Sequence, residues 1–433
     1  MEQILAKAQK VAEQAEVFQV TSRRTPVKFE ANQLKQILTK ESTTTALRLI
    51  KDGRIGFAQV AGPVDPEALV NMALETCRFG AVAKFDLPTA QSYPKVEIYD
   101  PQVEQVAIDA MVQLGEQLIA TVREHTPEIL CEASVGKGVV SVRIINSRGG
   151  AASYEKSFFS MGIEGMLVQD SDMLFVGDSQ SSCHPLLDSK ELTDEVTLQL
   201  ELAKKKVSLA TQPMPVIFKP SGVASALISP LMMAFNGKRV FMGASPLKNK
   251  LGMQAFDNRL SLWDDATVPY QVASCPCDDE GVPGQRTPLI EHGVVSQFLY
   301  DLQTAGLASA RSTGNGSRSG GLPSPSTNSL IIAEGETSFY DMVADIKLGL
   351  VVEQLIGAAQ GNVLNGDFSG NVLLGYKIEN GEMVGRVKDT MVSGNVYQVL
   401  KQVETIGSDV RWVEGFLKTP SVYCANLAVA TKE

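Results

Sequence analysis

Histidine is the scarcest useful residue in this chain, with three in 433 residues: His125, His184 and His292. No two lie close enough to share a helix turn, which excludes the paired histidines that a zinc-binding helix carries one turn apart. Basic residues are also in deficit, 39 against 49 acidic, for a net charge of −10. Neither a basic excess nor a basic stripe is there for nucleic acid to meet. Long apolar runs are missing too. The longest, residues 227–235, is interrupted by Ser229 and Pro230, far short of the roughly 20 residues that span a bilayer. The opening Met1-Glu2-Gln3-Ile4-Leu5-Ala6-Lys7 has no apolar core of leader length, so a soluble, cytoplasmic protein is expected.

Common catalytic signatures are absent as well. Gly314-Asn315-Gly316-Ser317-Arg318 lacks the closing glycine of a serine nucleophile elbow, and Gly237-Lys238 lacks both the leading glycine and the final hydroxyl of a P-loop. The cysteines at 77, 131, 183, 275, 277 and 424 follow no framework and read as reduced, mostly buried thiols. Cys275-Pro276-Cys277 is closely spaced, but no further Cys or His stands near it to complete a metal site.

What is present is a mixture of short elements. An amphipathic helix is expected over 2–16, followed by strands over 17–21, 27–30 and 34–39. Two alternating runs, 45–50 and 54–60, flank Asp52-Gly53 and predict a hairpin. Asp65-Pro66-Glu67 opens a helix reaching about 79, since Asp caps and Pro suits the first turn. A long helix is expected over 102–124, then strands 130–136 and 139–146 joined by a Gly136-Lys137-Gly138 turn, an extended run over 154–170 and a helix over 189–206 ending in lysines. Gln212-Pro213-Met214-Pro215 disfavours both helix and central strand, which places a domain boundary near 210. The second half reads as strands and turns with helices only at 221–235 and 339–352, and Asn380-Gly381 predicts another hairpin. The fold class expected is α+β in two domains. Residues 1–210 form an N-terminal α/β domain with an antiparallel sheet, and 211–433 form a mostly antiparallel β domain with one or two helices.

Two loops stand out. Residues 312–327 are dense in Gly, Ser and Pro, which fits a flexible linker. The second reading, after the linker, is an ordered loop whose amides and Arg318 hold a peptide backbone or carboxylate. Residues 361–371, rich in Gly and Asn, imply left-handed positions and close approach of backbone to a neighbour, most simply another strand.

Taken in order, these pieces resemble the TldD/PmbA family, and specifically its PmbA or TldE branch. The carrying residues are Ala46-Leu47-Arg48-Leu49-Ile50-Lys51-Asp52-Gly53-Arg54-Ile55-Gly56-Phe57-Ala58, Phe256-Asp257, Asp278-Asp279-Glu280-Gly281-Val282-Pro283-Gly284-Gln285 and Ile290-Glu291-His292-Gly293-Val294. The series continues through Thr313-Gly314-Asn315-Gly316, Gly366-Asp367-Phe368-Ser369, Ile378-Glu379-Asn380-Gly381-Glu382 and Gly407-Ser408-Asp409. The resemblance implies a two-domain relative of zinc metallopeptidases, a hydrolase family engaged in proteolysis and also called modulators of DNA gyrase. In its catalytic TldD branch a helix carries His-Glu-x-x-x-His, with a later Cys ligand. Here Ser229, Pro230 and Ala234 stand where those residues would be, and none can ligate zinc or act as a base. Cys424 reads as a packed strand residue.

The resemblance therefore implies a non-catalytic subunit that binds no metal or cofactor. It would pair with a TldD-like catalytic chain, or with itself as a homodimer, and act on short or unfolded peptides. A stand-alone peptide-binding scaffold is the alternative. Aligned with a family loop beside the peptide cavity, 312–327 reads as ordered, with Thr313, Gly314, Asn315 and Arg318 as substrate-binding candidates. His292 is implied to be a turn residue.

Overall fold

The computed structural model describes residues 1–170 and 172–432. In the first half it contains β1 (Gln14–Glu30), β2 (Gln33–Ile37), β3 (Lys40–Lys51), β4 (Arg54–Ala61), β5 (Leu130–Asn146), β6 (Ala151–Gln169) and β7 (Asp172–Ser182). They form one antiparallel sheet in the order β4-β3-β1-β5-β6-β7, with β2 paired to the end of β1. Alternation along β1 decides what each face meets. Val17 points to the helices Glu2–Ala8 and Pro66–Cys77, and Val27 and Phe29 to the helices Ile108–His125 and Lys190–Ala203. Glu16 and Phe18 point the other way, and Phe18 packs with Cys277 of the second half.

The second half begins with β8 (Gln212–Phe218), β9 (Leu262–Asp265), β10 (Arg286–Glu291), β11 (Val294–Val295), β12 (Gly316–Ser317), β13 (Ser324–Pro325) and β14 (Ser329–Ile332). Then come β15 (Leu348–Ile356), β16 (Asp367–Glu379), β17 (Glu382–Arg386), β18 (Thr390–Asn395), β19 (Val403–Ile406), β20 (Arg411–Val413), β21 (Leu417–Thr419) and β22 (Val422–Thr431). One sheet runs β15-β8-β22-β18-β16 and closes on itself, because β15 pairs with β8 on one edge and β16 on the other. A second sheet runs β11-β10-β9-β14-β21-β20. Both include one parallel pairing, β8–β15 and β14–β21. The chain is thus α+β, with an antiparallel N-terminal sheet and a β-rich second half that has few helices. The halves share a core, in which Ile217, Met342, Val351 and Tyr376 join Phe159, Leu118 and Val196.

Several elements differ from the sequence expectation. The first helix ends at Ala8, and Ala15 already belongs to β1. The three short strands expected over 17–39 are two, β1 running unbroken to Glu30. The helix expected over 102–124 is broken: Val106 and Ala107 are extended, and Lys137 Nζ takes the carbonyls of Glu104 and Val106 at 2.7 and 2.6 Å. The Gly136-Lys137-Gly138 turn is the middle of the continuous β5, where a side chain at 138 would run into Arg23 O and the Phe158 ring.

Pro213 and Pro215 lie in a central strand after all. The β15 ladder begins only at Val216, which leaves both prolines without a partner on that side; Pro213 stands opposite Ala428 of β22, and Pro215 opposite the irregularity at 425–426. The helix expected over 339–352 stops at Ala344, and 348–352 already belong to β15, where they are an apolar run buried on both faces and therefore without a readable period. The Asp52-Gly53 and Asn380-Gly381 hairpins and the Asp65 cap are found as expected.

Candidate functional site

The helical run over 220–235 is the element in which a zinc site of the expected kind would lie. Pro230 has no N–H to close an α-turn, and its ring crowds the carbonyl one turn back. The chain answers with a wider π-turn at Ala224–Ile228 just before it. Val223, Leu227, Leu231 and Phe235 sink into the main core of the second half, and Ser225 Oγ accepts from Leu355 N at 3.2 Å. Ser229, Pro230 and Ala234 supply no donor suited to zinc. The Pro230 carbonyl accepts from Tyr397 Oη at 3.1 Å and that of Ala234 from Ser245 Oγ at 2.7 Å. Among the described residues no group of three or more His, Cys, Asp or Glu side chains is placed to hold a metal. The residues present do not fit a zinc centre.

The histidines are elsewhere and engaged: His125 bonds Thr126 and Glu201, His184 meets Tyr270 edge-on, and His292 sits at φ 46° in the turn between β10 and β11. Cys275, Cys277 and Cys424 are buried, and burial raises all three thiols, Cys275 and Cys424 to about 12. They are not poised as thiolate nucleophiles.

The loop over 312–327 is ordered, and its four candidates are turned inward. Thr313 Oγ1 accepts from Tyr300 N at 2.8 Å. Gly314 has φ +70°, and a Cβ there would meet Pro283 O at 2.5 Å. Asn315 Nδ2 donates to Asp264 Oδ2 at 2.7 Å and to Ser326 O at 2.9 Å. Arg318 lies over the Phe18 ring, donates through Nε to Asp279 O at 3.1 Å, and pairs with Glu16.

Glu16 belongs to a charged junction between the halves that sequence reasoning missed. In register, Glu16 of β1 faces Arg48 of β3, both buried, with Arg48 Nη2 3.1 Å from Glu16 and its Nη1 paired to Glu280. Burial pulls Arg48 down, but the two glutamates outweigh it and leave its guanidinium more firmly charged than usual. Glu280 Oε2 accepts from Leu302 N at 2.7 Å, and Asp278 accepts from Glu280 N, Val282 N and Gly316 N. Burial, reinforced by Glu280, pushes Asp278 well above the carboxylate range. A charge inside Ala46-Leu47-Arg48-Leu49-Ile50 was the available signal, because an arginine on a buried strand must find an anion.

Of two clefts among the described residues, one lies away from these elements and one between them. The larger, about 560 Å³, lies between Asn395, Lys401, Glu404 and Asn426. It carries both charge signs, and its Arg259 is already held by Asp257 and the Val403 carbonyl. The smaller, about 170 Å³, opens where Met232 and Met233 of the helical run face Pro325, Ser326 and Thr327 of the loop, with Leu299 and Arg239 beside them. Asn236 ties its walls together, donating to Pro325 O at 2.7 Å and accepting from Arg239 N at 3.2 Å.

Comparison with known proteins gives this arrangement a setting. Residues 211–431 match the PmbA/TldA metallopeptidase C-terminal domain, and 15–77 match domain 1 of the same family. The Methanocaldococcus jannaschii protein MJ0231 is 29% identical over 431 residues, 98% of each chain. The metalloprotease PmbA of Escherichia coli O157:H7 is 32% identical over 202 residues, 47% of this chain and 42% of its own. The crystal structure of TldE from Thermococcus kodakarensis superposes with a TM-score of 0.91 at 25% identity, covering 99% of both chains. The helix that lacks zinc donors and the ordered loop beside it therefore sit in a recognised framework, and the chain belongs to the TldD/PmbA family of metallopeptidase-related proteins.

Proposed function

We propose that this chain is a non-catalytic, TldE-like subunit of a two-chain metallopeptidase, acting in the cytoplasm on short or unfolded peptides. The observation that carries the reading is the helical run over 220–235, in which Ser229, Pro230 and Ala234 offer zinc nothing to bind. The full-length likeness to TldE from Thermococcus kodakarensis supports the same assignment. In this reading the catalytic zinc and its base belong to a TldD-like partner, and this chain contributes a wall of the substrate chamber. Peptides are held there main chain to main chain. Residues 1–210 and 211–433 act as its two domains. Thr313, Gly314, Asn315 and Arg318 serve the substrate indirectly: they fix the loop whose outer end, Ser326 and Thr327, faces the cleft.

The test is to capture the tagged chain from its own cells, identify what accompanies it, and determine which chain holds metal. A chain recovered alone would instead favour a homodimer or a stand-alone binding scaffold.

A further inference from the structure

We propose that the small cleft between the helical run and the loop is a subsite for the C-terminal carboxylate of a peptide, with Arg239 as its anion-binding group. Arg239 is half-buried, and among the described residues its guanidinium makes no ion pair or hydrogen bond, although its main chain is fixed by Asn236 and Ala244. The hydroxyls of Ser326 and Thr327 on the opposite wall are likewise without partners among the described residues. No carboxylate lines the cleft. One uncompensated cation, two free hydroxyls and no acid make a site of single sign, and a planar guanidinium matches a carboxylate through two parallel bonds.

The remaining walls, Met232, Met233 and Leu299, are apolar and, in the methionines, adaptable. They suit the side chain that precedes a terminal carboxylate. At about 170 Å³ the space takes one residue-sized group and excludes a partner's helix. The pocket itself argues the carboxylate. That a peptide stands behind it rests on the function proposed above.

The test uses the purified full-length chain with methyl-labelled methionine, titrated with N-acetyl-Ala-Ala-Leu as the free acid and as the C-terminal amide. The free acid should shift the Met232 and Met233 methyl signals and bind at least about tenfold more tightly than the amide. Arg239→Gln should abolish that preference and Arg239→Lys restore part of it, while Lys238→Gln on the exposed neighbour leaves it intact. Because the Arg239 side chain holds nothing else in place, both Arg239 variants should melt with the native chain.

Equal binding of acid and amide, no binding of either, or an unchanged preference in Arg239→Gln would overturn the proposal. So would Arg239-dependent binding of an amidated peptide ending in glutamate, which would give the pocket to acidic side chains. None of these results touches the capture experiment, so the subsite and the subunit reading fail separately.

Discussion

At the scale of single residues, buried charge is the main determinant. Removing one member of a buried pair leaves the other uncompensated, at about 3–5 kcal/mol. Arg318→Met leaves Arg48 alone to offset both Glu16 and Glu280 and should lower stability in urea by up to that order, whereas Glu16→Gln combined with Arg318→Met should regain part of the loss. A single variant as stable as the native chain would mean that Arg318 holds nothing together.

Asp301 offers a test with a sign. Burial, then the charge of Glu280, raises its carboxyl to about 6, against about 3.9 unfolded. Below pH ~4 both states are protonated and no penalty exists. Between about 4 and 6 the unfolded chain ionises first, so folding loses stability as pH rises, and above about 6 the penalty is constant. Asp301 caps the helix Leu302–Leu307 by accepting from Thr304 N, a task asparagine performs equally well. Asp301→Asn should therefore gain on the native chain as pH rises from 4 to 6 and hold the gain at 7, read from urea midpoints. Parallel pH profiles would contradict this. Asp264, also raised to about 6 by burial, contributes in the same direction.

At the scale of elements, local chemistry was legible wherever it was self-contained. Asp52-Gly53, Asn380-Gly381 and Asp65-Pro66 each dictate a turn or a helix start from within a few residues, and each stands as expected. The misreadings are places where a distant neighbour decides. Gly138 looks like a turn residue but lies in β5 because Arg23 and Phe158 leave no room for a side chain. Lys137 bonds from the adjacent strand to the carbonyls where the 102–124 helix breaks. The prolines of β8 both precede Val216, where the β15 ladder begins, a register on a distant strand that no local pattern encodes. Gly138→Ala brings a Cβ to 2.5 Å from the Phe158 ring and should cost about 1–3 kcal/mol by denaturant unfolding. A loss below a few tenths would restore the turn reading.

At the scale of the whole molecule, the two halves are joined by a shared apolar core and by the Glu16–Arg48–Glu280–Arg318 junction. The family was legible because its short motifs recur in order along the chain, although each alone is weak. The cleft at Arg239 was not legible, since Met232, Arg239 and Thr327 converge only after the helical run and the loop have packed. The poverty in histidine acquires its meaning at this scale: the chain belongs to a metallopeptidase-related family, and among its described residues no group of His, Cys, Asp and Glu is placed to hold a metal.

The account's central claim is tested most directly by affinity capture of this chain from its native cells, with zinc determined on each separated component. The prediction is an equimolar second chain carrying His-Glu-x-x-x-His that holds essentially all the zinc and whose peptide cleavage is chelator-sensitive. Zinc bound stoichiometrically to this chain, with chelator-sensitive cleavage in the absence of any partner, would contradict it.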